Sequence, residues 1–196
     1  MTKKVKAVFE TEKKFRCTTI DSLINHALSL GFNKTDENLQ EHDIYFTDKD
    51  YIFIQQRICL RIRQTDKHCE ITHKWKSNNT EGLYSKLENN IKIPHDHKEN
   101  AIALIESLWF LRYVDVKKTR NMYKKNIGKL THNIAIDHIE NAGYFVELEI
   151  LSQEALEEHQ IQEFFESFVH LFQDFNLQEE TLPYRDIVRQ LQNKRA

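Results

Sequence analysis

Charged residues recur at every second position in a series of β-like segments, and only an extended strand turns that period into a single charged face. Glu10, Glu12 and Lys14 fall on one side of the first segment, with Phe9 and Phe15 on the other. Arg61 and Arg63 alternate with Ile58, Leu60 and Ile62; Lys74 and Lys76 alternate with Ile71, His73 and Trp75. Lys86 and Glu88, Lys118 and Arg120, then Asp137 continue the series, and Glu147 and Glu149 end it against Val146, Leu148 and Ile150. Any one of these faces suits an antiparallel sheet with one solvated side. Together they are sorted by sign, acidic on the first and last strands and basic between, whereas solvated faces usually mix signs.

Order along the chain gives the fold class. Strand character at 5–15 is followed by an amphipathic helix over Thr18–Leu30, closed by Gly31. Strand-like segments follow at Asp43–Thr47, Tyr51–Gln64, Cys69–Lys76 and Tyr84–Ile93. A helix over 98–111 precedes strands at Tyr113–Tyr123, Leu130–Ile139 and Tyr144–Leu151, and a long helix is predicted over Glu154–Asn176 with a short one after Pro183. With only 4 Gly and 2 Pro in 196 residues, long regular elements are expected. The reading is one α+β domain over residues 1–196, an eight-stranded antiparallel β-barrel with flanking helices that include C-terminal helices within 154–192. The Phe164–Phe172 stripe reads as core and the His95/His97 pair as an exposed loop.

If the sheet closes, the charged face points inward and the apolar face packs on the helices. An interior lined with Lys and Arg repels itself until a polyanion enters, and Arg forks suit phosphate oxygens. Carboxylates in the same interior serve such an anion through a hard, oxygen-loving cation, Mg²⁺ or Mn²⁺. Net charge is −2, so no general cationic field draws nucleic acid. No signal-like N-terminus and no long apolar run is present, which predicts a cytoplasmic protein without membrane association. The three cysteines form no C-x-x-C pair and read as reduced thiols.

The ordered motifs resemble the CYTH superfamily, the triphosphate tunnel metalloenzymes. Glu10-Thr11-Glu12-Lys13-Lys14 is similar to its ExExK, Asp43-Ile44-Tyr45-Phe46 to its D-x-Y-F/Y, and Leu60-Arg61-Ile62-Arg63 to its LRxR. Thr72-His73-Lys74, Lys86-Leu87-Glu88, Lys118-Thr119-Arg120, Asp137, Glu147-Leu148-Glu149 and Tyr184-Arg185-Asp186 continue the likeness, with Lys86 in place of Arg and Asn90 where many members carry an acid. The resemblance implies a triphosphate tunnel requiring Mg²⁺ or Mn²⁺. Lys14, Arg61, Arg63, Lys74, Lys76, Lys118 and Arg120 are then expected to grip the triphosphate, with Lys14, Arg63, Lys74 and Arg120 catalytic. Glu10, Glu12, Glu88, Asp137, Glu147 and Glu149 are the expected metal ligands. The first activity implied is hydrolysis of inorganic, thiamine or nucleoside triphosphate. The alternatives are a class IV adenylyl cyclase making cyclic AMP and pyrophosphate, and a non-catalytic polyphosphate or nucleotide binder. The expected assembly is a monomer or homodimer.

Overall fold

Consecutive strands joined by tight turns pair with each other, and here that rule builds most of the sheet. The computed structural model describes residues 9–75, 84–86, 88–153 and 157–195. Its strands are β1 (Phe9–Arg16), β2 (Asn33–Thr47), β3 (Cys59–Thr65), β4 (Cys69–Lys74), β5 (Tyr84–Lys86), β6 (Glu88–Ile93), β7 (Leu111–Ile127), β8 (Leu130–Ile139), β9 (Gly143–Ser152) and β10 (Gln178–Glu179). The helices are α1 (Ile20–Ser29), α2 (Ile52–Gln55), α3 (Lys98–Ser107), α4 (Glu158–His170) and α5 (Tyr184–Asn193). β7, β8 and β9 form a meander, and the ladder runs β1-β9-β8-β7-β2-β3-β4-β6. β5, one residue before β6 in sequence, pairs with β1 through Glu10↔Lys86 and Glu12↔Tyr84, while β6 pairs with β4. The order therefore leads from β1 round to β1 again, through the eight strand positions that the sequence predicts. β10 adds two residues beside the end of β1.

Three local differences from the sequence expectation have physical causes. β2 begins ten residues earlier than the apolar segment at Asp43, because its first half is largely exposed and carries no hydrophobic alternation. Irregular register with β7 between Lys34 and Leu39, and a positive φ at Asn38, bend that half. The apolar run after Tyr51 is a helical turn rather than a strand: the Asp48 carboxylate accepts hydrogen bonds from the Phe53 and Asp50 amides, and Tyr51 and Arg57 take left-handed φ at either side. The long helix predicted to Asn176 is α4 followed by a 3₁₀ turn at Gln173–Phe175, ended by Asn176 at φ 48°.

The outer, apolar face of the sheet is covered in two places. Phe15, Tyr123, Ile134, Val146 and Leu148 meet Leu23 and Ala27 of α1 and Phe165, Phe168 and Phe172 beside α4. Ile44, Phe46, Ile62 and Cys69 meet Ala101, Ile102 and Ile105 of α3. A third cluster lies on the inward face. Val116, Tyr45, Phe145 and Ile139 share strand faces with Lys118, Asp43, Glu147 and Asp137, yet they pack against Tyr184 and Ile187 of α5. The inward face is thus charged along one stretch and apolar along another, and α5 packs on the apolar stretch.

Phe172 is fully buried and stacks edge-on with Phe168 at 6.0 Å. Phe172→Ala should lower unfolding free energy by about 3–5 kcal/mol, read as a reduced midpoint in urea at unchanged slope. A loss under about 1 kcal/mol would show that the α4 layer carries little of the fold.

Candidate active site

The inward strand faces and the start of α5 enclose a polar cavity of about 250 Å³. Among the described residues, eight cationic side chains line it: Lys14, Arg57, Arg61, Arg63, Lys74, Lys118, Arg120 and Arg185. Five carboxylates stand among them: Glu10, Glu12, Glu70, Glu147 and Glu149. Among the described lining residues cations outnumber carboxylates, and three buried carboxylates behind them, Glu41, Asp43 and Asp137, make up the difference.

A layer of buried carboxylates lies behind the cations. Asp43, 1% exposed, accepts Arg63 Nε at 2.6 Å and Nη2 at 2.7 Å, and approaches Arg61 at 3.5 Å. Asp137, fully buried, accepts Arg120 Nε at 2.6 Å, the Tyr184 hydroxyl at 2.8 Å and Lys118 at 3.3 Å. Glu41 bridges the two sets, 3.2 Å from Arg63 and 3.1 Å from Lys118. These two contacts are ion pairs without hydrogen-bond alignment at the shared oxygen. Burial pushes the Asp43 carboxyl up, but Arg63 and Arg61 outweigh it and hold the group far below the usual carboxylate range. Burial likewise opposes Glu41, and Lys118, Arg120 and Arg63 bring it down to about 2. Asp137 is depressed in the same way, chiefly by Arg120 once burial is overcome. The cations are thereby fixed as charged, oriented donors. Lys14 differs: burial lowers its ammonium against the pull of Glu147 and Glu12, and it lies 4.2 Å above the Tyr184 ring.

The remaining carboxylates sit on β1 and β9. Glu12 faces Glu149 directly in the antiparallel register, and Lys14 faces Glu147. Like charges opposite one another repel. Burial first and Glu12 next raise the Glu149 carboxyl above its ordinary range. An oxygen-only donor set with surplus negative charge fits a hard divalent cation. The carboxylates are not yet gathered as a cage, and among the described residues no three such side chains form one. Glu10 is instead engaged by Lys74 at 3.2 Å, Glu147 by Arg120 and Glu149 by Asn133. Coordination would replace these pairings.

Of the residues expected from sequence, Lys14, Arg61, Arg63, Lys74, Lys118, Arg120, Glu10, Glu12, Glu147 and Glu149 come together around this cavity. Asp137 stands apart from the expected metal set: it lies behind Arg120, with its oxygens taken by Arg120, Lys118 and Tyr184. Lys76 lies outside the described residues. Glu88 is opposite Lys74 in the backbone register, and its side chain is outside the described set. Sequence reasoning missed Glu41 and the wall residues Arg57, Cys59 and Glu70. Glu41 was discoverable, since it shares the period of two with Asp43 and Tyr45, once β2 is extended upstream. Arg57 falls in the predicted Tyr51–Gln64 segment at the parity of Arg61 and Arg63, but the structure sets it at φ 55° between α2 and β3.

The fold and this cavity define a charged barrel of the CYTH type. A sequence model of the CYTH domain matches residues 9–183, and the chain belongs to that family. A Methanocaldococcus jannaschii protein provisionally named an adenylate cyclase is 29% identical over 142 residues, covering 72% of this chain and 77% of that one. A Pyrococcus horikoshii structure superposes at TM-score 0.71 with 23% identity, over 94% of this chain and 99% of its own. A Hippeastrum protein, provisionally named an adenylyl cyclase and described as revealing a dominant triphosphatase activity, matches at TM-score 0.63 and 18% identity over 92% and 95% of the two chains.

Asp43→Asn removes the two-oxygen anion from buried Arg63 and leaves it the Glu41 contact alone, and breaking such a pair should cost about 3–5 kcal/mol, seen as a drop in Tm with the fold's circular dichroism retained at low temperature. The depressed carboxylates also set the acid limit. A group lowered in the folded state stabilises above its unfolded value and loses that contribution as pH falls through the folded one. For Glu41 the window runs from its ordinary 4.5 down to about 2. Melting temperature should therefore fall steeply across that range. A flat profile between these pH values would show that the buried pairs do not stabilise the fold.

Proposed function

We propose that this protein is a divalent-metal-dependent triphosphatase that binds its substrate's triphosphate chain in the cavity. The observation that carries the reading is the set of oriented arginines and lysines that Asp43, Glu41 and Asp137 hold towards one cavity, beside carboxylates on β1 and β9. A volume of about 250 Å³ falls below the roughly 300–1,000 Å³ of sites that enclose drug-sized ligands. It suits a compact polyanion with any organic group left towards the mouth.

Arg61, Arg63, Lys74, Lys118 and Arg120 would hold phosphate oxygens and neutralise charge that builds up as the terminal phosphoryl group leaves. Asp43 and Asp137 keep the Arg63 and Arg120 forks aimed into the cavity without touching substrate. Lys14, whose ammonium burial makes easier to deprotonate, stands beside Glu147 and Glu12 where it can hold or release a proton at Nζ. Glu10, Glu12, Glu147 and Glu149 would hold Mg²⁺ or Mn²⁺, which when bound supplies phosphate charge neutralisation and a more acidic attacking water. Positioning and electrostatics carry the rate, since phosphoryl transfer asks little covalent chemistry of the protein.

Adenylyl cyclase is the second reading, favoured by the name of the M. jannaschii relative. It uses the same wall but needs the ribose 3′-hydroxyl at the α-phosphorus. The Hippeastrum protein's description supports hydrolysis as the leading activity of such a barrel.

A panel of inorganic triphosphate, thiamine triphosphate and ATP, with products separated as phosphate, pyrophosphate and cyclic AMP, tests both. Orthophosphate released only with Mg²⁺ or Mn²⁺ is expected, and cyclic AMP with pyrophosphate as the sole products would replace hydrolysis by cyclisation. Triphosphate with Mg²⁺ at about 100 times Kd should add roughly 2.7 kcal/mol of stability. Glu12→Gln should raise the metal needed for half-maximal turnover by at least the ~10–100-fold that loss of a supporting group costs a metal site, while Tm without ligand stays the same or rises. Unchanged metal dependence in that variant would remove Glu12 from the metal set.

A further inference from the structure

Helices α1 and α3 end with the same backbone motif. At α1 the Gly31 N–H donates to the Leu28 carbonyl and the Phe32 N–H to that of Ala27, with Gly31 at φ 84°. At α3 the Trp109 N–H donates to the Glu106 carbonyl and the Phe110 N–H to that of Ile105, with Trp109 at φ 68°. The left-handed residue of this motif is usually glycine, which takes it without a clash between Cβ and the backbone. A bulky side chain there is an outlier. Burial does not offset the strain: Trp109 is 86% exposed, more than any other large hydrophobic side chain among the described residues. Strain of this kind points to a use beyond the local fold.

Trp109 ends an apolar face. Leu104 and Leu108, four apart and 57% and 60% exposed, form one ridge of α3, and Leu111 is half-exposed at the start of β7. Ala103 and Ser107, also four apart and exposed, run beside that ridge as a shallow groove. The opposite side of the helix, Ala101, Ile102 and Ile105, is already buried on the sheet. Trp109 leaves roughly 200 Å² uncovered, and the leucines bring the apolar patch to about 500 Å², as large as monomers usually leave and often functional. With a polar rim it approaches the ~800 Å² per partner of a standard interface.

Charge decides between occupants. Among the described residues the charges around this face are paired: Arg112 bonds Asp115 through two nitrogens at 2.8 and 2.5 Å, and Lys98 lies 3.4 Å from Glu99. Helical spacing sets Glu99 and Glu106 on the flank of α3 away from Leu104 and Leu108. Basic clusters that draw a protein to an anionic membrane are missing from the described face, as is a surplus of one sign that would select an oppositely charged partner. A neutral face with ridge and groove side by side is self-complementary: about a twofold axis along α3, each ridge enters the other copy's groove.

We propose that this face joins two copies of the chain, with the strained Trp109 as its anchor.

Sedimentation equilibrium of the full chain tests it. A dimer with Kd below about 10 µM is expected, weakened at least about tenfold by Trp109→Gly. That variant relieves the left-handed backbone, so at concentrations where both proteins are monomers it should melt no lower than the wild type. Leu108→Lys should weaken the dimer as much and keeps the test informative if the first variant misfolds. In Trp75→Phe, which leaves Trp109 as the lone tryptophan, emission should shift to the blue as the protein is concentrated through Kd. A monomer at about 100 µM, or a dimer whose Kd neither folded variant changes, overturns the proposal. So does blue-shifted Trp109 emission in the monomer, which would assign the patch to another part of the chain. Trp109-dependent binding of a monomer to phosphatidylcholine vesicles would overturn it too, assigning the face to a membrane surface.

Discussion

The buried carboxylates behind the barrel wall are the interaction on which the rest depends. Several Lys and Arg side chains facing one enclosed space would repel one another and lose hydration. Asp43 and Asp137 each bind an arginine fork through both oxygens, and Glu41 ties the two groups together across β2 and β7. The wall can then stay charged although it is shielded from water. Such pairs are costly to build and more costly to break on one side. Their worth is in fixing direction: a guanidinium held at two nitrogens still presents its remaining N–H groups to the cavity.

Strand alternation explains how one sheet supports three environments. Outward positions feed two apolar layers beneath α1, α4 and α3. Inward positions divide into a charged stretch and an apolar stretch, and α5 bridges them. Ile187 sits in the apolar cluster, while the Tyr184 hydroxyl reaches Asp137 and its ring lies 4.9 Å from the Lys118 ammonium. Arg185 anchors the same turn to the carbonyls of Ile58 and Phe53, across from the strand residues that carry the cations.

Much of this was legible because period-two spacing survives translation into structure without long-range information. Arg61 and Arg63, Lys118 and Arg120, and Glu147 and Glu149 each needed only their neighbours to be placed on an inward face. Distinguishing roles on that face needed the register. Asp137 shares the parity of the other expected metal ligands, and the β7–β8 register, which sets it opposite Arg120, places its carboxylate on that guanidinium. Glu41 escaped notice because the polar half of β2 has no hydrophobic alternation to mark it as a strand. The Tyr51–Ile54 run was misleading for the converse reason, apolar residues whose backbone is turned by the Asp48 carboxylate.

The cavity wall draws residues from Glu10 to Arg185, with partners brought together from almost the full span between them. A Lys14 ammonium over a Tyr184 ring joins positions 170 residues apart by number. Contacts of that kind close only after the intervening strands have found their register, and loop closure over such separations is slow. Adjacent strands carry parts of the site, Arg120 with Asp137 and Glu147 on β7–β9 and Arg63 with Asp43 on β2–β3, but Lys14 meets Tyr184 only across nearly the whole chain. During synthesis the charged interior therefore stays incomplete until α5, which supplies Tyr184 and Arg185 to its wall, has been made and docked.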